Sequence, residues 1–571
     1  MTGNGEKYTV ADAMTDALVR SGVEHIFLNS GTDYPAIIEG WAKFKTLGKK
    51  IPEIFTCPHE TVAMSAAQGY AQATGKPDAV FVHVDVGTQN IGGALSNAYR
   101  GHVPVLIFAG LSPCTIEGEL PGSRDNMIQF IQNVTDQNNI VREYVKHCAE
   151  IRVGVNAQQI VYRAIQLSKS DTKGPVYITA TREVLEKEGR DIGEVLHGWA
   201  ATSPLAVEKN TLEKLTEALS KAKNPIIITS SLGKNHESVM ELVKLCEKYA
   251  IGVVEAPPSF MNFPGDHDLH LGTNVDEVLK DSDFALVIDA EVPWLPIKTK
   301  CPENCRLFYI DIDPIKDTIP LWNYPAELFI RADSYTALKQ IIGAMEKQNT
   351  DNETIAARYK KYAEKHAQIR AKEAEKVIST NGITPEFLVK TVAEVTDENT
   401  IILNEAITNT AVVENYMPRN KPGTRFHSEG SSLGWNGGAA IGIKLANPES
   451  EVIAFSGDGT YIFSCPSAVY WVARKYKTPF MTIVFNNGGW TAPRLAVEGG
   501  HPDGYAAQAN DYWTDFDQAP DYELIAKAAG GAFAARVEDP NELSMVIQQG
   551  REAVQNGLCA VINVVIASCS K

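Results

Sequence analysis

Short, almost continuously apolar runs recur along this chain, and each is followed by a longer amphipathic segment. Such runs occur at residues 105–108, 176–179, 226–229, 285–288, 307–310, 401–403, 452–455 and 482–485. A strand that is apolar at successive positions is buried on both faces, which is typical of parallel sheets covered by helices. Capping residues such as Thr9 and Gly75 mark the ends of the intervening helices. The alternation therefore predicts an α/β fold built from doubly wound parallel sheets.

Two segments interrupt this alternation and divide the chain. Residues 182–204 form a mixed charged connection, and residues 346–382 form a long stretch rich in Lys, Glu and Ala that predicts an exposed helix or linker. They separate three α/β segments, which we place at 1–185, 203–345 and 370–571. A length of 571 residues is ample for three such domains, at about 150 residues each.

The balance of charges and the cysteine pattern exclude several classes of function. The chain carries 53 basic and 70 acidic side chains, a net charge of -17, which disfavours nucleic acid as a partner. The nine cysteines are scattered, and the close pair Cys301 and Cys305 has no second pair to complete a zinc site. Residues 1–10 lack the apolar core of a signal peptide, and no apolar run approaches the ~20 residues of a membrane helix. We therefore expect a cytoplasmic protein that binds neither nucleic acid nor membranes.

Two strand ends in the third segment carry the polar residues of a phosphate and metal site. The apolar run 451–455 leads into Gly-Asp-Gly at 457–459, and the next such run ends in Asn486 and Asn487. Open parallel sheets bind their ligands at the carboxyl ends of the strands. Glycines allow close backbone approach, and carboxylate and amide oxygens suit a Mg²⁺ ion that bridges a diphosphate. A lone Gly-Asp-Gly is usually a turn, but the paired asparagines favour a ligand site.

These two motifs resemble the signature of thiamine diphosphate (ThDP)-dependent enzymes of the pyruvate decarboxylase, benzoylformate decarboxylase and acetolactate synthase superfamily. The resemblance covers nearly the whole chain. It implies a pyrimidine-binding domain at 1–185, a central domain at 203–345 and a diphosphate-binding domain at 370–571. It also implies a homodimer or homotetramer, because each site in this family combines the first domain of one subunit with the third domain of another.

The resemblance assigns roles to residues of the two motifs. The implied cofactor-binding residues are Gly457, Asp458, Gly459, Thr460 and Asn487. Main-chain groups around Gly459 and Thr460 would hold the diphosphate, and Asp458, Asn487 and the carbonyl group of Gly489 would hold the Mg²⁺ ion.

A third element precedes the small-residue helix of the last domain. Its sequence, residues 430–435, resembles the family segment that bends the cofactor. By resemblance, Leu433 is the bulky wedge and Ser431 offers the carbonyl group that receives the cofactor's amino group. A leucine beside glycines is otherwise ordinary core packing. Glu405 either approaches the cofactor or ends a strand, and the sequence leaves both roles open.

The family requires one glutamate early in the chain, hydrogen-bonded to N1′ of the aminopyrimidine. Glu60 opens a helix directly after the strand-like residues 54–56 and matches this position. Acidic residues also favour first helical turns because of the helix dipole, which contributes ~0.5 kcal/mol. The motif context favours catalysis, and we expect this carboxyl group to be buried.

Further residues of the first domain resemble substrate-contacting positions of benzoylformate decarboxylase. His83 is a candidate proton relay, since imidazole titrates in the useful range, although it could be a hydrogen-bonded histidine that ends a strand. Thr32 retains a hydroxyl group where that family contacts the substrate carboxylate. His59 is a pocket acid or a helix cap. Trp490 opens a region, 490–517, that either closes over the substrate or forms an ordinary surface loop.

The resemblance implies ThDP- and Mg²⁺-dependent decarboxylation of a small 2-keto acid, followed by protonation or carboligation of the enamine intermediate. A carboligation would use an aldehyde or a second keto acid as the other substrate. FAD or ADP occupies the central domain of some relatives, but this chain lacks a Gly-rich phosphate motif there, and we favour a structural central domain. The alternative activities are a 2-hydroxyacyl-CoA lyase and a catalytically silent regulatory subunit.

Overall fold

A computed structural model describes residues 7–193, 199–348, 351–376 and 382–566. The ends of the outer segments, residues 1–6 and 567–571, lie outside this description. The strands are β1 (His25–Leu28), β2 (Glu53–Thr56), β3 (Asp78–Val82), β4 (Val105–Leu111), β5 (His147–Glu150), β6 (Val176–Thr181), β7 (Pro225–Thr229), β8 (Gly252–Glu255), β9 (Phe284–Ile288), β10 (Arg306–Asp311), β11 (Leu328–Arg331), β12 (Ile401–Glu405), β13 (Arg425–Phe426), β14 (Val452–Gly457), β15 (Met481–Asn486), β16 (Phe533–Val537) and β17 (Ala560–Val565).

Helices cover and connect these strands. They are α1 (Val10–Arg20), α2 (Pro35–Thr46), α3 (Glu60–Thr74), α4 (Val84–Asn90), α5 (Gly92–Arg100), α6 (Ile128–Ile131), α7 (Ala157–Lys169), α8 (Arg182–Leu185), α9 (Lys209–Lys221), α10 (His236–Tyr249), α11 (Val275–Leu279), α12 (Ser334–Met345), α13 (Asn352–Glu375), α14 (Pro385–Val395), α15 (Thr410–Tyr416), α16 (Trp435–Ala446), α17 (Asp458–Phe463), α18 (Pro466–Tyr476), α19 (Thr491–Gly500), α20 (Tyr505–Ala509), α21 (Tyr522–Gly530) and α22 (Pro540–Gln555). No helix of the described residues is both long and apolar enough to span a membrane.

The strands form three separate sheets in which neighbouring strands run parallel. Their orders are β2-β1-β3-β4-β6-β5, β11-β10-β9-β7-β8 and β13-β12-β14-β15-β17-β16. Strands β3, β7, β9, β12 and β15 are buried at every position, as expected for sheets with helices on both faces. The predicted class, three parallel-sheet α/β domains, is confirmed, and each of the three proposed segments contains one sheet.

The connection between the second and third sheets is helical. Helix α13 spans 24 residues of the segment for which the sequence left a helix or a linker open. It packs on the central domain through a narrow stripe, where the hydroxyl group of Tyr362 donates to the carbonyl oxygen of Pro225 at 2.8 Å. Residues 377–381, just beyond this helix, lie outside the described part of the chain.

The first and third domains pack together through helices α3 and α16, which approach each other closely. A Cβ atom at Gly442 would lie 1.9 Å from the carbonyl oxygen of Ala66, and one at Gly69 would lie 2.4 Å from that of Ala439. Only glycine permits such contact between two helix backbones. This packing fixes the first domain, with Glu60 at the start of α3, against the third.

Candidate active site

The predicted residues of the first domain lie at one edge of its sheet. Thr32 follows β1, Glu60 follows β2 and His83 follows β3, and these three strands are neighbours in the order β2-β1-β3. Because the strands are parallel, their carboxyl ends face the same side. This is the edge at which open α/β sheets bind ligands.

Glu60 is the first residue of α3 and is buried, with 7% of its surface exposed. The side-chain amide of Asn90, the last residue of α4, donates to Oε2 of Glu60 at 3.2 Å. A Cβ atom at Gly87 would lie 3.3 Å from Oε1, so α4 packs directly against the carboxyl group. The structure thus holds Glu60 between two helices of its own domain.

The two other polar candidates near Glu60 differ in their surroundings. His59 is the N-cap of α3, and its Nδ1 accepts a hydrogen bond from the backbone N–H of Thr61 at 3.2 Å. This contact gives His59 the capping role that the sequence left open. Thr32 is exposed in the loop after β1, at the carboxyl edge of the sheet.

His83 is half-buried and is tied to a carboxylate that the sequence analysis did not identify. Its Nδ1 lies 2.5 Å from Oδ1 of Asp33, which is itself 3% exposed. Burial alone would lower the pKa of His83, but the hydrogen bond and the charge of Asp33 outweigh it and raise the pKa above its ordinary value. His83 therefore binds its proton more tightly than a free imidazole does.

In the third domain the predicted residues again end neighbouring strands. Glu405 is the last residue of β12, Asp458 follows β14 and Asn487 follows β15, and these strands are adjacent in the sheet. Their side chains therefore share the carboxyl edge.

Asp458 organises the loop that contains Asn487. Its Oδ2 accepts hydrogen bonds from the backbone N–H groups of Gly488, at 2.9 Å, and Gly489, at 3.0 Å, and its Oδ1 accepts one from Gly459 at 2.7 Å. Burial raises the pKa of Asp458, and these backbone donors act in the opposite direction. The predicted metal-binding residues Asp458, Asn487 and Gly489 are thus brought together.

Three oxygen atoms converge at this point. The Nδ2 atom of Asn487 donates to the hydroxyl group of Thr491 at 2.8 Å. Its Oδ1 therefore faces acceptors, 3.2 Å from Oδ2 of Asp458 and 2.8 Å from the carbonyl oxygen of Gly489. This contact between acceptor oxygens is unfavourable. It would be removed by a half-turn of the amide, which makes the NH₂ group the donor, or by a cation bound among the oxygens.

The spacing of these oxygens suits magnesium. Octahedral Mg²⁺ binds oxygens at 2.0–2.1 Å, so adjacent ligands lie about 2.9 Å apart. The two distances from Oδ1 of Asn487, 2.8 and 3.2 Å, bracket this value. Among the described residues no group of three or more His, Cys, Asp or Glu side chains could hold a metal ion, so a metal here would depend on amide and carbonyl oxygens beside the one carboxylate. The residues present therefore fit Mg²⁺ with remaining positions for phosphate and water.

Trp490 covers the Gly-Asp-Gly turn. A Cβ atom at Gly459 would lie 2.4 Å from Nε1 of the indole, so the ring rests directly on the Gly459 backbone. Trp490 is 42% exposed and packs edge-to-face on Phe516, with ring centroids 5.0 Å apart. Thr460 is buried one residue further along α17, and Gly457 ends β14. The predicted diphosphate-binding residues thus surround one turn.

The segment that contains Ser431 and Leu433 is held from two sides. Glu405 accepts hydrogen bonds from the backbone N–H groups at the start of α16, those of Gly434 (2.9 Å), Trp435 (3.2 Å) and Asn436 (2.9 Å). Burial raises the pKa of Glu405 to about 7, although these donors oppose the shift. Glu405 therefore both ends a strand and caps a helix, and its contact with a cofactor remains a prediction.

On the other side, Asn97 of α5 binds the same segment. Its amide donates to the carbonyl oxygen of Ser432 at 2.9 Å and accepts from the Ser432 N–H at 3.0 Å. A Cβ atom at Gly430 would lie 2.2 Å from Oδ1 of Asn97. Ser431 is exposed and Leu433 is half-buried between these two anchors.

Three residues that position these side chains, Asp33, Asn90 and Asn97, were not predicted from the sequence. No spacing rule links them to their distant partners. Within one chain, no hydrogen bond or ion pair of the described residues joins Glu60 or His83 to the third-domain oxygens.

The central sheet presents a charged cleft at its carboxyl edge. A cavity of about 200 Å³ is lined there by Lys234, Asp289 and Asp311, and by Glu429 from the third domain. Burial raises the pKa of Asp289 to about 6 and that of Glu429 to about 7. The cleft contacts the segment that contains Ser431 and Leu433, because Gly430 also lines it.

Three family models match the chain. They are the N-terminal TPP binding domain of thiamine pyrophosphate enzymes at residues 8–140, the central domain at 212–341 and the C-terminal TPP binding domain at 406–564. The chain belongs to the thiamine pyrophosphate (ThDP) enzyme family, and the family expectation is confirmed. It is a ThDP-dependent enzyme of the acetolactate synthase and benzoylformate decarboxylase type.

Its relatives include both types. The chain is 23% identical to an acetolactate synthase large subunit of Buchnera aphidicola, over 97% of this chain and 94% of the relative. It is also 23% identical to a benzoylformate decarboxylase of Pseudomonas aeruginosa, over 85% of this chain and 87% of the relative. A similar fold occurs in a 4-hydroxybenzoylformate decarboxylase of Rhodococcus jostii, with a TM-score of 0.78 and 20% identity over 99% of this chain and 100% of that chain. A benzoylformate decarboxylase of Polynucleobacter necessarius has a TM-score of 0.80 and 18% identity over 98% of this chain and 99% of that chain.

Proposed function

We propose that this enzyme uses ThDP and Mg²⁺ to decarboxylate a small 2-keto acid. The product is then protonated to an aldehyde or joined to a second carbonyl compound. The observation that carries this proposal is the pair of clusters at the carboxyl edges of two sheets. One contains the buried carboxyl group of Glu60, and the other contains the converging oxygens of Asp458, Asn487 and Gly489.

The third domain would hold the cofactor by its diphosphate. Asp458, Asn487 and the carbonyl oxygen of Gly489 would offer the Mg²⁺ ion three oxygens, because the side-chain amide of Asn487 lies within 3.2 Å of both other groups. The backbone around Gly459 and Thr460 would contact the phosphate oxygens. Leu433, fixed between Asn97 and Glu405, would serve as the wedge, and Ser431 would offer its carbonyl group.

When bound, ThDP supplies the carbon nucleophile and the electron sink for the loss of CO₂. Glu60 would hold a proton at N1′ of the aminopyrimidine, since it is buried and positioned by Asn90. His83 would deliver and remove protons at the substrate, and Thr32, His59 and Trp490 would border the substrate. Burial of Glu60 excludes water from its carboxyl group and strengthens its hydrogen bonds.

A complete site would need two subunits, and we propose a homodimer or homotetramer. A cavity of about 620 Å³ beside the start of α3 is lined by His59, Ile462, Cys465 and Trp471. Ile462 and Trp471 are 41% and 39% exposed, and the segment from Met127 to Ile131 exposes further large apolar side chains. An association that covers these surfaces would bring the first domain of one subunit to the third domain of another.

The test is a product analysis with the purified chain, ThDP and Mg²⁺. A panel of aliphatic and aromatic 2-keto acids, alone and with aldehydes, would be followed by CO₂ release and mass spectrometry. We expect CO₂ with either an aldehyde or a hydroxyketone. A 2-hydroxyacyl-CoA belongs in the same panel, and its cleavage without keto acid turnover would replace this proposal with a lyase. ThDP binding without turnover by the intact chain across the panel would contradict it.

A further inference from the structure

Asp33 is buried beneath His83 with both carboxylate oxygens engaged. Oδ1 lies 2.5 Å from Nδ1 of His83, and Oδ2 accepts hydrogen bonds from the backbone N–H groups of Gly110 at 3.0 Å and Val84 at 3.4 Å. We propose that Asp33 is the positioning residue that fixes the orientation and tautomer of His83, so that Nε2 is the atom that exchanges protons with the substrate. The second half of this inference rests on the proposed function.

The tautomer follows from the hydrogen-bond partners. A carboxylate accepts hydrogen bonds but cannot donate them. Nδ1 of His83 must therefore carry the proton shared with Asp33, whether the ring is neutral or charged. In the neutral ring this leaves Nε2 as the acceptor, and in the charged ring Nε2 carries the proton that can be transferred.

The imidazole and its carboxylate partner pack closely against the backbone at two glycines. A Cβ atom at Gly31 would lie 1.9 Å from Nδ1 of His83, and one at Gly110 would lie 2.1 Å from Oδ2 of Asp33. The ring and the carboxylate thus occupy the space that side chains would fill at two glycines. Val84, directly after His83, has a φ of +28°, a strained conformation that persists only where the surroundings impose it.

The charged groups that face His83 are few. Asp33 in the loop after β1 forms the direct contact, and Asp85 in α4 acts at longer range. Gln132 is a neutral neighbour that acts in the same direction. Because Asp33 is both the nearest charge and the hydrogen-bond acceptor, it makes the largest of the contributions that raise the affinity of His83 for its second proton, against burial, which lowers it. The arrangement corresponds to the aspartate-histidine pair of hydrolases, in which the carboxylate orients the ring and stabilises its charged form.

The test is a titration of ¹⁵N-histidine-labelled protein by NMR, without substrate, with His83→Gln to assign the signal. In the wild-type protein we expect the Nδ1–H tautomer at high pH. In Asp33→Asn we expect the midpoint of the His83 titration to fall by about one pH unit or more. Asp85→Asn is the matched control, because it removes a nearby charge without the hydrogen bond, and it should retain the tautomer with a smaller shift.

Activity supplies a second measurement that separates this inference from the proposed function. If a keto acid is turned over, the pH profile of kcat should move in the same direction as the His83 midpoint in Asp33→Asn. An Nε2–H tautomer in the wild-type protein would overturn the inference even if Asp33→Asn failed to fold. An unmoved midpoint in folded Asp33→Asn would also overturn it. If the His83 titrations follow expectation but the protein turns over no keto acid, the Asp33–His83 pair is established and the proposed function is wrong.

Discussion

Asn97 makes both of its amide hydrogen bonds with the backbone of one residue, Ser432, which lies in another domain. Nδ2 donates to the Ser432 carbonyl oxygen at 2.9 Å, and the Ser432 N–H donates to Oδ1 at 3.0 Å. The pair joins α5 of the first domain to the segment that contains Leu433. The shape of this part of the candidate site therefore depends on a residue 335 positions away in the sequence.

Asn97→Asp should disturb that segment without a change in side-chain volume. One carboxylate oxygen can still accept from Ser432 N–H, but the other would face the Ser432 carbonyl oxygen, at a cost of about 2 kcal/mol. We expect kcat to fall about 10-fold or more, measured by steady-state kinetics. Ser96→Ala is the control, since its exposed hydroxyl group bonds only to Gly93 of the same helix at 2.7 Å. Equal effects of the two variants would show that Asn97 has no special role.

Glu60→Gln should retain ThDP but lose turnover. The amide keeps the size of the side chain and cannot exchange a proton at N1′, so we expect kcat to fall by about 10²–10⁴. Isothermal titration calorimetry should give a ThDP affinity close to that of the wild-type protein. Glu53→Gln, at an exposed position of β2, provides the control. Near-normal turnover by Glu60→Gln would remove Glu60 from the chemistry.

Asp458→Asn should weaken the binding of Mg²⁺ and, with it, of ThDP. The substitution replaces a charged ligand by a neutral one and places an NH₂ group among the converging oxygens. We expect the Mg²⁺ concentration for half-maximal ThDP binding to rise at least about 10-fold. Chelation of the metal in the wild-type protein should mimic the variant. Asp511→Asn, an exposed aspartate of the same region, should behave like the wild type.

Gly442→Ala should destabilise the contact between the first and third domains. The new methyl group would overlap the carbonyl oxygen of Ala66, and we expect a loss of about 1–3 kcal/mol in the free energy of unfolding. Gly343→Ala in α12 is the matched control, because a Cβ atom there meets nothing within 4 Å. The control should be neutral or more stable by up to ~1 kcal/mol, since alanine favours helices. Thermal denaturation measures both, and similar melting temperatures would contradict the packing argument.

Glu405 predicts a pH dependence of stability. Its pKa in the folded protein, about 7, lies above the ordinary value of 4.5, so the folded state binds a proton that the unfolded state has lost. This contribution is fully present below pH 4.5 and is lost as the pH rises through 7. As the pH rises from 4.5 to above 7, the free energy of unfolding of the wild-type protein should therefore fall by on the order of 3 kcal/mol relative to that of Glu405→Gln. Denaturant unfolding at several pH values tests this, with a substitution at an exposed position, Glu398→Gln, as control. A difference in unfolding free energy between the wild-type protein and Glu405→Gln that stays constant with pH would contradict the prediction.

The sequence predicted the parts of this molecule that depend on local patterns. Continuous apolar runs identified strands buried on both faces, and strand ends followed by polar residues identified the carboxyl edges at which Glu60, Asp458 and Asn487 lie. The sequence left Glu405 between the end of a strand and a contact with the cofactor. Its capping of α16 was in neither reading, because that role needs the position of α16, which its own segment does not encode.

Contacts between distant segments could not be predicted from the sequence. Asp33 and Asn97 reach partners in other strands and domains, and the sequence contains no periodicity that pairs them. The close approach of α3 and α16 is marked only by glycines and alanines, which occur in many helices without such contact. These features depend on how the domains pack, which hydrophobic patterning does not determine.

The contact of Gly442 with Ala66 has a consequence for the way in which molecules enter and leave the protein. Two helix backbones in direct contact have no long side chains between them that could repack, so we expect the first and third domains to move as one body. Helices α19 and α20, in contrast, contain no buried residue. We therefore expect any opening of the candidate site to involve these two helices rather than a separation of the two domains.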